Sequence, residues 1–501
     1  MNTYRLRDQA VLRDERSTGT AKVGFIWLRG QPTVLNIIDE MTCDFLLSLR
    51  KPAKPDELAS VILRYFRDRG RSLSLEDGKR ATELLLRETV RRGWVGAAED
   101  GRASEALIRE PAPSERYRDG WAPLSAPLDL AISVTLACNL RCRHCGISCG
   151  PDTARPEELA GEEVARLLDM CDQLGVYQVT LTGGEITIRK DWRRLLEAAQ
   201  NSCYRVSMVT NGVSLSRDDI DFLSACARGK AEGFNVTVSL DGASPETHGF
   251  MRGAAALFDR TTANIAALTA AGVTVHVGMT VTPLSAVEIN AMIQLAERLG
   301  VSKIEFHPAE VYGRSKNHPE TWLKRSEVRR HILEVERLRP QALKNGIDIA
   351  YETKRVPHTR SFLTAHGVAF ESRVFAALRY SEGAHDAGLT KCCIASDGDV
   401  YPSEKAQALP ALAMGNVKHR HLQEIWLSNA WDFFRGGWRL SDLHQCVGCP
   451  IFADCATRNN RIIPYVSLGD PLAAMPECQE SVVRWSRREE NPPRQDFSRL
   501  V

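Results

Sequence analysis

The sequence predicts an α/β protein built on a parallel sheet, preceded by a smaller α+β unit and followed by a cysteine-rich unit. Three observations carry that prediction. From residue 130 onward, six short β-branched runs alternate with longer amphipathic segments. The first run leads into three closely spaced cysteines, Cys138, Cys142 and Cys145. A second group, Cys446, Cys449, Cys455 and Cys478, lies near the C-terminus.

With 501 residues, 43% hydrophobic and 26% charged, the chain has length for roughly two to four compact units. Its 65 Lys and Arg nearly balance 63 Asp and Glu, so no charge excess argues for nucleic acid or an anionic membrane as partner. Residues 1–8 lack the apolar segment of a signal peptide, and no apolar run approaches the ~18 residues that span a bilayer. A cytoplasmic location is therefore expected. Fourteen cysteines are poorly explained as disulfides in a reducing compartment, and several fall in clusters with the spacing of metal ligands.

Residues 1–95 read as a unit of their own. Strand-like segments at 21–28 and 33–38 precede helices at 39–50, 54–68 and 75–92. Leu58, Val61, Ile62 and Tyr65 recur at helical spacing, as do Leu84, Leu85 and Val90, and Gly70 and Gly93 punctuate the ends. Residues 96–127, polar and holding Pro111, Pro113, Pro123 and Pro127, read as a linker.

The core, residues 128–340, places strands at 130–136, 177–181, 205–210, 235–240, 273–281 and 303–306. Helices are expected at 157–174, 192–200, 218–228, 260–271, 286–299 and 327–338. Strand followed by helix, repeated, means parallel strands with right-handed crossovers, hence a curved partial barrel or a doubly wound sheet. Such sheets carry their chemistry at the C-terminal ends of strands, which is where the cysteine loop leaves the first one.

A structural zinc site would need a fourth ligand close to Cys138, Cys142 and Cys145. Three thiolates on one loop can instead hold three irons of a [4Fe-4S] cluster and leave the fourth open to an exchangeable ligand. The second strand ends in Gly183-Gly184-Glu185, where two glycines admit close approach and a carboxylate can receive an amine. Asn211-Gly212 ends the third strand, and Ser239-Leu240-Asp241-Gly242 the fourth. Asn211 and Ser239 read equally as caps or turn-formers, His144 as a cluster neighbour or a solvent-facing loop residue, and Cys171 as core packing.

Residues 341–390 read as a connection without assigned chemistry. In residues 391–481, Asp397-Gly398 marks a hairpin turn and the four later cysteines suit either a fully ligated iron-sulfur cluster or a zinc knot. Cys392 and Cys393 read as packing or redox-reactive residues that still have the chemistry to reach iron. Residues 482–501, rich in Arg, Glu and Pro, read as a disordered tail.

The C-x3-C-x2-C loop followed one strand later by Gly-Gly-Glu resembles the radical S-adenosylmethionine (SAM) enzymes, and the later cysteines resemble their SPASM branch. That resemblance implies a partial (β/α)6 barrel with a SAM-binding [4Fe-4S] cluster on Cys138, Cys142 and Cys145. It also implies SAM held by its amino group at Gly183, Gly184 and Glu185, with Ser239 at the ribose and Asn211 near the nucleoside. An external one-electron reductant such as flavodoxin or ferredoxin supplies the electron that generates a 5′-deoxyadenosyl radical. The full SPASM pattern has cysteines where Ser403 and Asn459 stand here, which leaves Cys446, Cys449, Cys455 and Cys478 for one auxiliary [4Fe-4S] cluster. Glu404 matches an acidic position that serves as a base in some relatives.

Residues 33–41, Thr-Val-Leu-Asn-Ile-Ile-Asp-Glu-Met, and the amphipathic helix after them resemble the PqqD-like precursor-peptide recognition domains. This implies, in a winged-helix-like α+β domain, a three-stranded sheet whose edge takes the leader of a ribosomally made peptide as an added strand, with a helix completing the groove; the alternative is a winged-helix-like packing or dimerisation domain. The expected activity is then oxidative thioether or carbon-carbon crosslinking of that peptide. The competing readings are a radical SAM/SPASM enzyme acting on a small molecule or tetrapyrrole, and a non-catalytic iron-sulfur or zinc scaffold that binds peptides.

Overall fold

The computed structural model describes residues 3–15, 23–28, 35–98, 101–109, 124–155, 157–230, 233–351, 387–435, 440–443, 446 and 461–474. Cys449, Cys455, Cys478, Asn459 and the tail 482–501 lie outside the described residues.

The N-terminal unit contains β1 (Tyr4–Leu6), β2 (Ala10–Asp14), β3 (Val23–Leu28), β4 (Asn36–Asp39), α1 (Glu40–Ser48), α2 (Pro55–Arg67), α3 (Leu75–Arg91), β5 (Val95–Ala97) and β6 (Leu107–Arg109). Strands β2, β3 and β4 form an antiparallel meander, β6 joins β2 in parallel, and β1 pairs with β5 as a separate ribbon. The two expected strands are present as β3 and β4, and the three expected helices differ from α1, α2 and α3 by a residue or two. Within the stretch read as a linker, Leu107–Arg109 forms a strand instead, because its two apolar residues find a partner in β2.

Local chemistry explains the helix starts. The Asp39 carboxylate accepts from the Thr42 N–H at 2.7 Å, and the Ser74 hydroxyl accepts from the Asp77 N–H at 3.1 Å, satisfying donors that a first turn leaves open. Leu58 and Ile62 on α2 and Leu86 on α3 are buried with Leu12, Ile26 and Phe45 in one small core.

This unit is hooked onto the core by a fully buried ion pair. Arg13 on β2 donates to Glu15 Oε1 at 2.5 Å, to the carbonyls of Ala126 at 2.7 Å and of Pro127 and Gly175 at 3.1 Å. Glu15 in turn accepts the N–H and hydroxyl of Ser125, each at 2.8 Å. Val11 and Phe25 pack there against Leu124, Leu128, Cys203 and Leu389.

The core sheet begins with β7 (Asp129–Ser133), followed by α4 (Gly161–Gln173), β8 (Gln178–Thr182), α5 (Trp192–Ala198), β9 (Arg205–Thr210), α6 (Arg217–Lys230) and β10 (Phe234–Ser239). Then come α7 (Pro245–Arg252), α8 (Leu257–Ala270), β11 (Val275–Val281), α9 (Ile289–Arg298), β12 (Lys303–Pro308), α10 (Arg325–Lys344) and β13 (Asp348–Tyr351). All six expected strands are present and parallel, and β13 adds a seventh beside β12, inside the stretch read as a connection. The last helix runs past its expected end, continuing through Pro340 to Lys344.

The C-terminal unit extends the same sheet. Its strand β14 (Lys391–Ile394) pairs in parallel with β7, and β15 (Val400–Tyr401) closes the edge antiparallel, giving nine strands in the order β13 to β7, then β14 and β15. Two short helices, α11 (Leu422–Trp426) and α12 (Ile462–Leu468), pack their apolar residues into the common core with Trp431.

Alternation along these strands decides what each face can do. Val179, Leu181, Val206, Met208, Val236, Val238, Val277, Met279, Ile304 and Phe306 are buried in the main core on one face. The other face carries Gln178, Thr180, Thr237, Ser239, His276, Lys303, Glu305 and His307, all half-buried or exposed. A sheet face lined with polar, accessible groups can receive a polar ligand, and its C-terminal rim is at the cysteine loop.

Among the described residues no helix is long and apolar enough to cross a membrane.

Candidate active site

The cysteine loop leaves β7 and is fastened on three sides. On the β8 side, the Gly184 N–H donates to Thr135 O at 2.7 Å and the Glu185 N–H to Ala137 O at 2.8 Å, so the strand pairing continues past its formal end. A Cβ on Gly183 would lie 2.3 Å from Thr135 O, and one on Gly184 would lie 2.1 Å from Ala137 O. No side chain fits at either position, which is why two glycines stand one strand after the cysteines.

On the opposite side, Arg314 donates Nε to Cys142 O at 2.9 Å and its backbone N–H to Cys145 O at 3.0 Å, with a further guanidinium bond to Cys149 O. From α7, the Arg143 N–H donates to Met251 O at 3.0 Å while its guanidinium lies 4.2 Å above the Phe250 ring.

Each of the three thiols receives an N–H, with Leu140 N to Cys138 Sγ at 3.4 Å, Cys149 N to Cys145 Sγ at 3.2 Å, and Arg252 Nη1 to Cys142 Sγ at 3.6 Å. Such donors suit thiolates bound to iron. Burial pushes the free thiol of Cys138 up to about 11 and raises that of Cys142, while the hydrogen bond with Cys149 lowers that of Cys145. Loading a cluster therefore releases protons from this loop. Among the described residues no three His, Cys, Asp or Glu side chains converge as a single ion would need. Three thiolates on one loop are a donor set that a four-iron cube can take one per iron.

Glu185 is 1% exposed and its carboxylate is committed to the protein. Its Oε1 accepts from the Thr187 N–H at 3.1 Å and from the hydroxyls of Thr187 at 2.7 Å and Thr210 at 2.8 Å, and its Oε2 accepts from the Asn211 N–H at 2.7 Å. The side chain thus bolts the end of β8 to the end of β9. Asn211 is likewise engaged, donating to Asn139 Oδ1 of the cysteine loop at 2.7 Å and accepting from the Val213 N–H at 2.9 Å. Ser239 ends β10 on the accessible face, in register with Gly278, and among the described residues its hydroxyl has no hydrogen-bond partner.

Behind Ser239 lies a buried charge network that sequence reasoning missed. Asp241 Oδ2 accepts from Arg252 Nε at 2.5 Å, and its Oδ1 accepts from the Thr280 N–H at 2.8 Å. Burial alone would raise the Asp241 carboxyl, but Arg252 holds it well below the usual carboxylate range. His144, one of two readings left open by the sequence, turns inward: its Nε2 lies 3.6 Å from Asp241 Oδ2 and burial pushes its pKa down to about 4. The one signal for the network was the run Ser239 to Arg252 itself, in which an acid closes a strand and a base closes the next helix.

Glu404 is not brought to the cysteine loop. It pairs with Lys391 at 3.1 Å, and Lys391 is in register with Asp129, at the far end of β7 from the cysteines. Burial raises the Glu404 carboxyl and Lys391 more than offsets this, leaving it below its ordinary value. Cys392 and Cys393 are fully buried in β14, Cys393 Sγ accepting from Gln407 Nε2 at 3.0 Å, and Cys171 is core as expected. Ser403 is buried, and Cys446 is half-buried with its N–H bound to Leu443 O at 2.7 Å.

The radical SAM superfamily profile matches residues 132–296, and that of the SPASM iron-sulfur cluster-binding domain matches residues 386–450. The chain is 28% identical over 381 residues to the AdoMet-dependent heme synthase of Methanosarcina barkeri, taking in 71% of this chain and 97% of that protein. It is 28% identical over 232 residues to AlbA, the antilisterial bacteriocin subtilosin biosynthesis protein of Bacillus subtilis, covering 46% of this chain and 50% of AlbA. In fold it is similar to SuiB of Streptococcus suis bound to its precursor peptide SuiA, with a TM-score of 0.64 over 96% of this chain and all of SuiB at 17% identity. With the cysteine loop and the Gly-Gly-Glu turn inside the first matched span and Cys446 and Cys449 inside the second, the chain is an enzyme of the radical SAM superfamily that carries a SPASM domain and uses [4Fe-4S] clusters and SAM.

Proposed function

We propose that this enzyme modifies a ribosomally made precursor peptide, forming an oxidative thioether or carbon-carbon crosslink. The observation that carries the reading is the N-terminal unit: β4 (Asn36–Asp39) is the outer strand of its sheet, and Arg92, next to α3, reaches it through a 2.8 Å bond to Asn36 Oδ1. A strand at a sheet edge beside a helix is the geometry that accepts an extended peptide as an added strand, and β4 holds that place among the described residues. We assign this unit to the PqqD-like domains and residues 1–95 to leader binding. AlbA and SuiB, by their names and the peptide beside SuiB, support a peptide substrate.

In this reading Cys138, Cys142 and Cys145 hold the SAM-binding cluster, and Cys446, Cys449, Cys455 and Cys478 hold one auxiliary cluster. With a cluster bound there and reduced by flavodoxin or ferredoxin, the site would supply the one-electron chemistry that cleaves SAM and takes a hydrogen atom from the substrate, and the auxiliary cluster would accept the second electron as the crosslink forms. The carbonyls of Gly183 and Gly184 accept the methionine amine, since Glu185 and Asn211 are occupied in holding the strand ends. The Ser239 hydroxyl meets the ribose. His276, Lys303, Glu305 and His307 line the face that positions the peptide core, and Glu404, held by Lys391 at the far end of β7, is given no part in the proton release.

A second reading, action on a tetrapyrrole, is favoured by the alignment with nearly the whole heme synthase. Co-expression with short peptides encoded beside this gene, followed by mass spectrometry, separates the two. The expected result is a product two hydrogens lighter, lost together with leader binding in an Ile37→Pro variant of the edge strand; an unmodified peptide and turnover of a porphyrin precursor would replace the first reading with the second. For cluster number, the Cys138→Ala, Cys142→Ala, Cys145→Ala variant should retain about four irons, and retention of about eight would refute the ligand sets.

A further inference from the structure

Arg252, in the stretch after Ser239 that resembles the SPASM branch, contacts a cysteine of the loop. It is the last residue of α7, 9% exposed, and Gly253 follows it with φ +103° so that the chain can turn away at once. Its Nη1 points at Cys142 Sγ at 3.6 Å and its Nε is held by Asp241 Oδ2 at 2.5 Å, while the other Asp241 oxygen is fixed by the Thr280 N–H at 2.8 Å. The guanidinium is thereby oriented by a carboxylate that is itself anchored on the next strand, β11.

The three N–H groups that reach the thiols are not equivalent. Those at Cys138 and Cys145 are backbone donors, neutral and present whatever the side chains. The donor at Cys142 is a full positive charge in a water-poor pocket, and charge acts strongly there. A cation beside a ligand sulfur favours the cluster state that carries one more electron, and an N–H bond to that sulfur acts in the same direction. Asp241 opposes the effect in part and keeps the donor aimed.

We propose that Arg252, oriented by Asp241, is a positioning residue that raises the reduction potential of the cluster on Cys138, Cys142 and Cys145. This rests on the radical SAM reading of that loop. The carboxylate and the guanidinium then form a tuning pair with opposite signs, in addition to tying α7 to the cysteine loop.

The test is an EPR-monitored redox titration of the full chain, reconstituted anaerobically with iron and sulfide, following the signal that changes when SAM is added. Arg252→Gln should shift the midpoint of that signal to lower potential, and Arg252→Lys should restore part of the loss. Asp241→Asn should shift it the other way. Unchanged midpoints in Arg252→Gln and Asp241→Asn with iron intact would overturn the proposal, as would shifts of the same sign in both. If Arg252→Gln loses the cluster, the direction of the Asp241→Asn shift decides alone. If the wild-type chain shows no SAM-sensitive cluster signal, the reading beneath the proposal fails rather than the tuning argument.

Discussion

Replacing Glu185 by Gln separates two roles for the acid of the Gly-Gly-Glu turn. The wild-type carboxylate accepts four bonds, three at Oε1 and one, from the Asn211 N–H, at Oε2. An amide keeps one oxygen, and its least costly orientation leaves the three bonds at Oε1 and turns its NH2 toward the Asn211 N–H. Two donors then face each other at a site where Glu185 is 1% and Asn211 6% exposed. Losing a bond to a charged acceptor costs about 1.5–3 kcal/mol, and leaving a buried donor unmade adds to it, so the local cost is about 3 kcal/mol. Amide hydrogen exchange at residues 210–212 reads this directly, with an expected acceleration of roughly a hundredfold. The denaturation midpoint of the metal-free protein should fall with it. Unchanged exchange and midpoint, with SAM affinity alone reduced, would refute the reasoning and return the carboxylate to the methionine amine.

Three further outcomes follow from the same geometry. Gly184→Ala places a Cβ 2.1 Å from Ala137 O, between two backbones that cannot yield separately, so Cys138 is displaced; iron retained by the loop should drop by more than half and stability by about 2 kcal/mol, checked by iron assay and denaturant titration. Arg13→Met removes the buried guanidinium bonded to Glu15 and should cost about 3–5 kcal/mol, whereas Arg13→Met combined with Glu15→Leu should cost less, as compared by chemical unfolding. His331 is 2% exposed and burial lowers its pKa to about 4, against about 6.5 in an unfolded chain, so the unfolded state alone takes up the proton between those values. Stability should therefore fall as pH drops from 6.5 toward 4, by up to about 3 kcal/mol, and level off below; His331→Phe should lessen the difference between midpoints measured at pH 7.5 and pH 5.

The elements of the core were legible because strand and helix periodicities are local properties: Val206, Met208, Val236 and Val238 alternate with polar neighbours along their own runs. The glycines of Gly183-Gly184 were read as places of close approach, and the structure identifies what approaches, the carbonyls of Thr135 and Ala137. What stayed hidden depended on partners distant in the chain. Lys391–Ile394 is too short to declare itself a sheet strand, and becomes one by pairing with a strand about 260 residues earlier. Arg13 looks like any charged residue of a strand until carbonyls from residues 126, 127 and 175 gather around it.

The sequence by itself determined the class of the fold, the cysteine spacing that suits an open-iron cluster and the order of motifs at the strand ends, because each is written in a few neighbouring residues. Only the tertiary structure decided that Glu185 holds the strands together, that Glu404 faces Lys391 away from the cysteines, and that Arg252 reaches Cys142. A side chain's hydrogen-bond partner is set by which backbones and charges folding brings within about 3 Å of it, and spacing along the chain does not encode that distance.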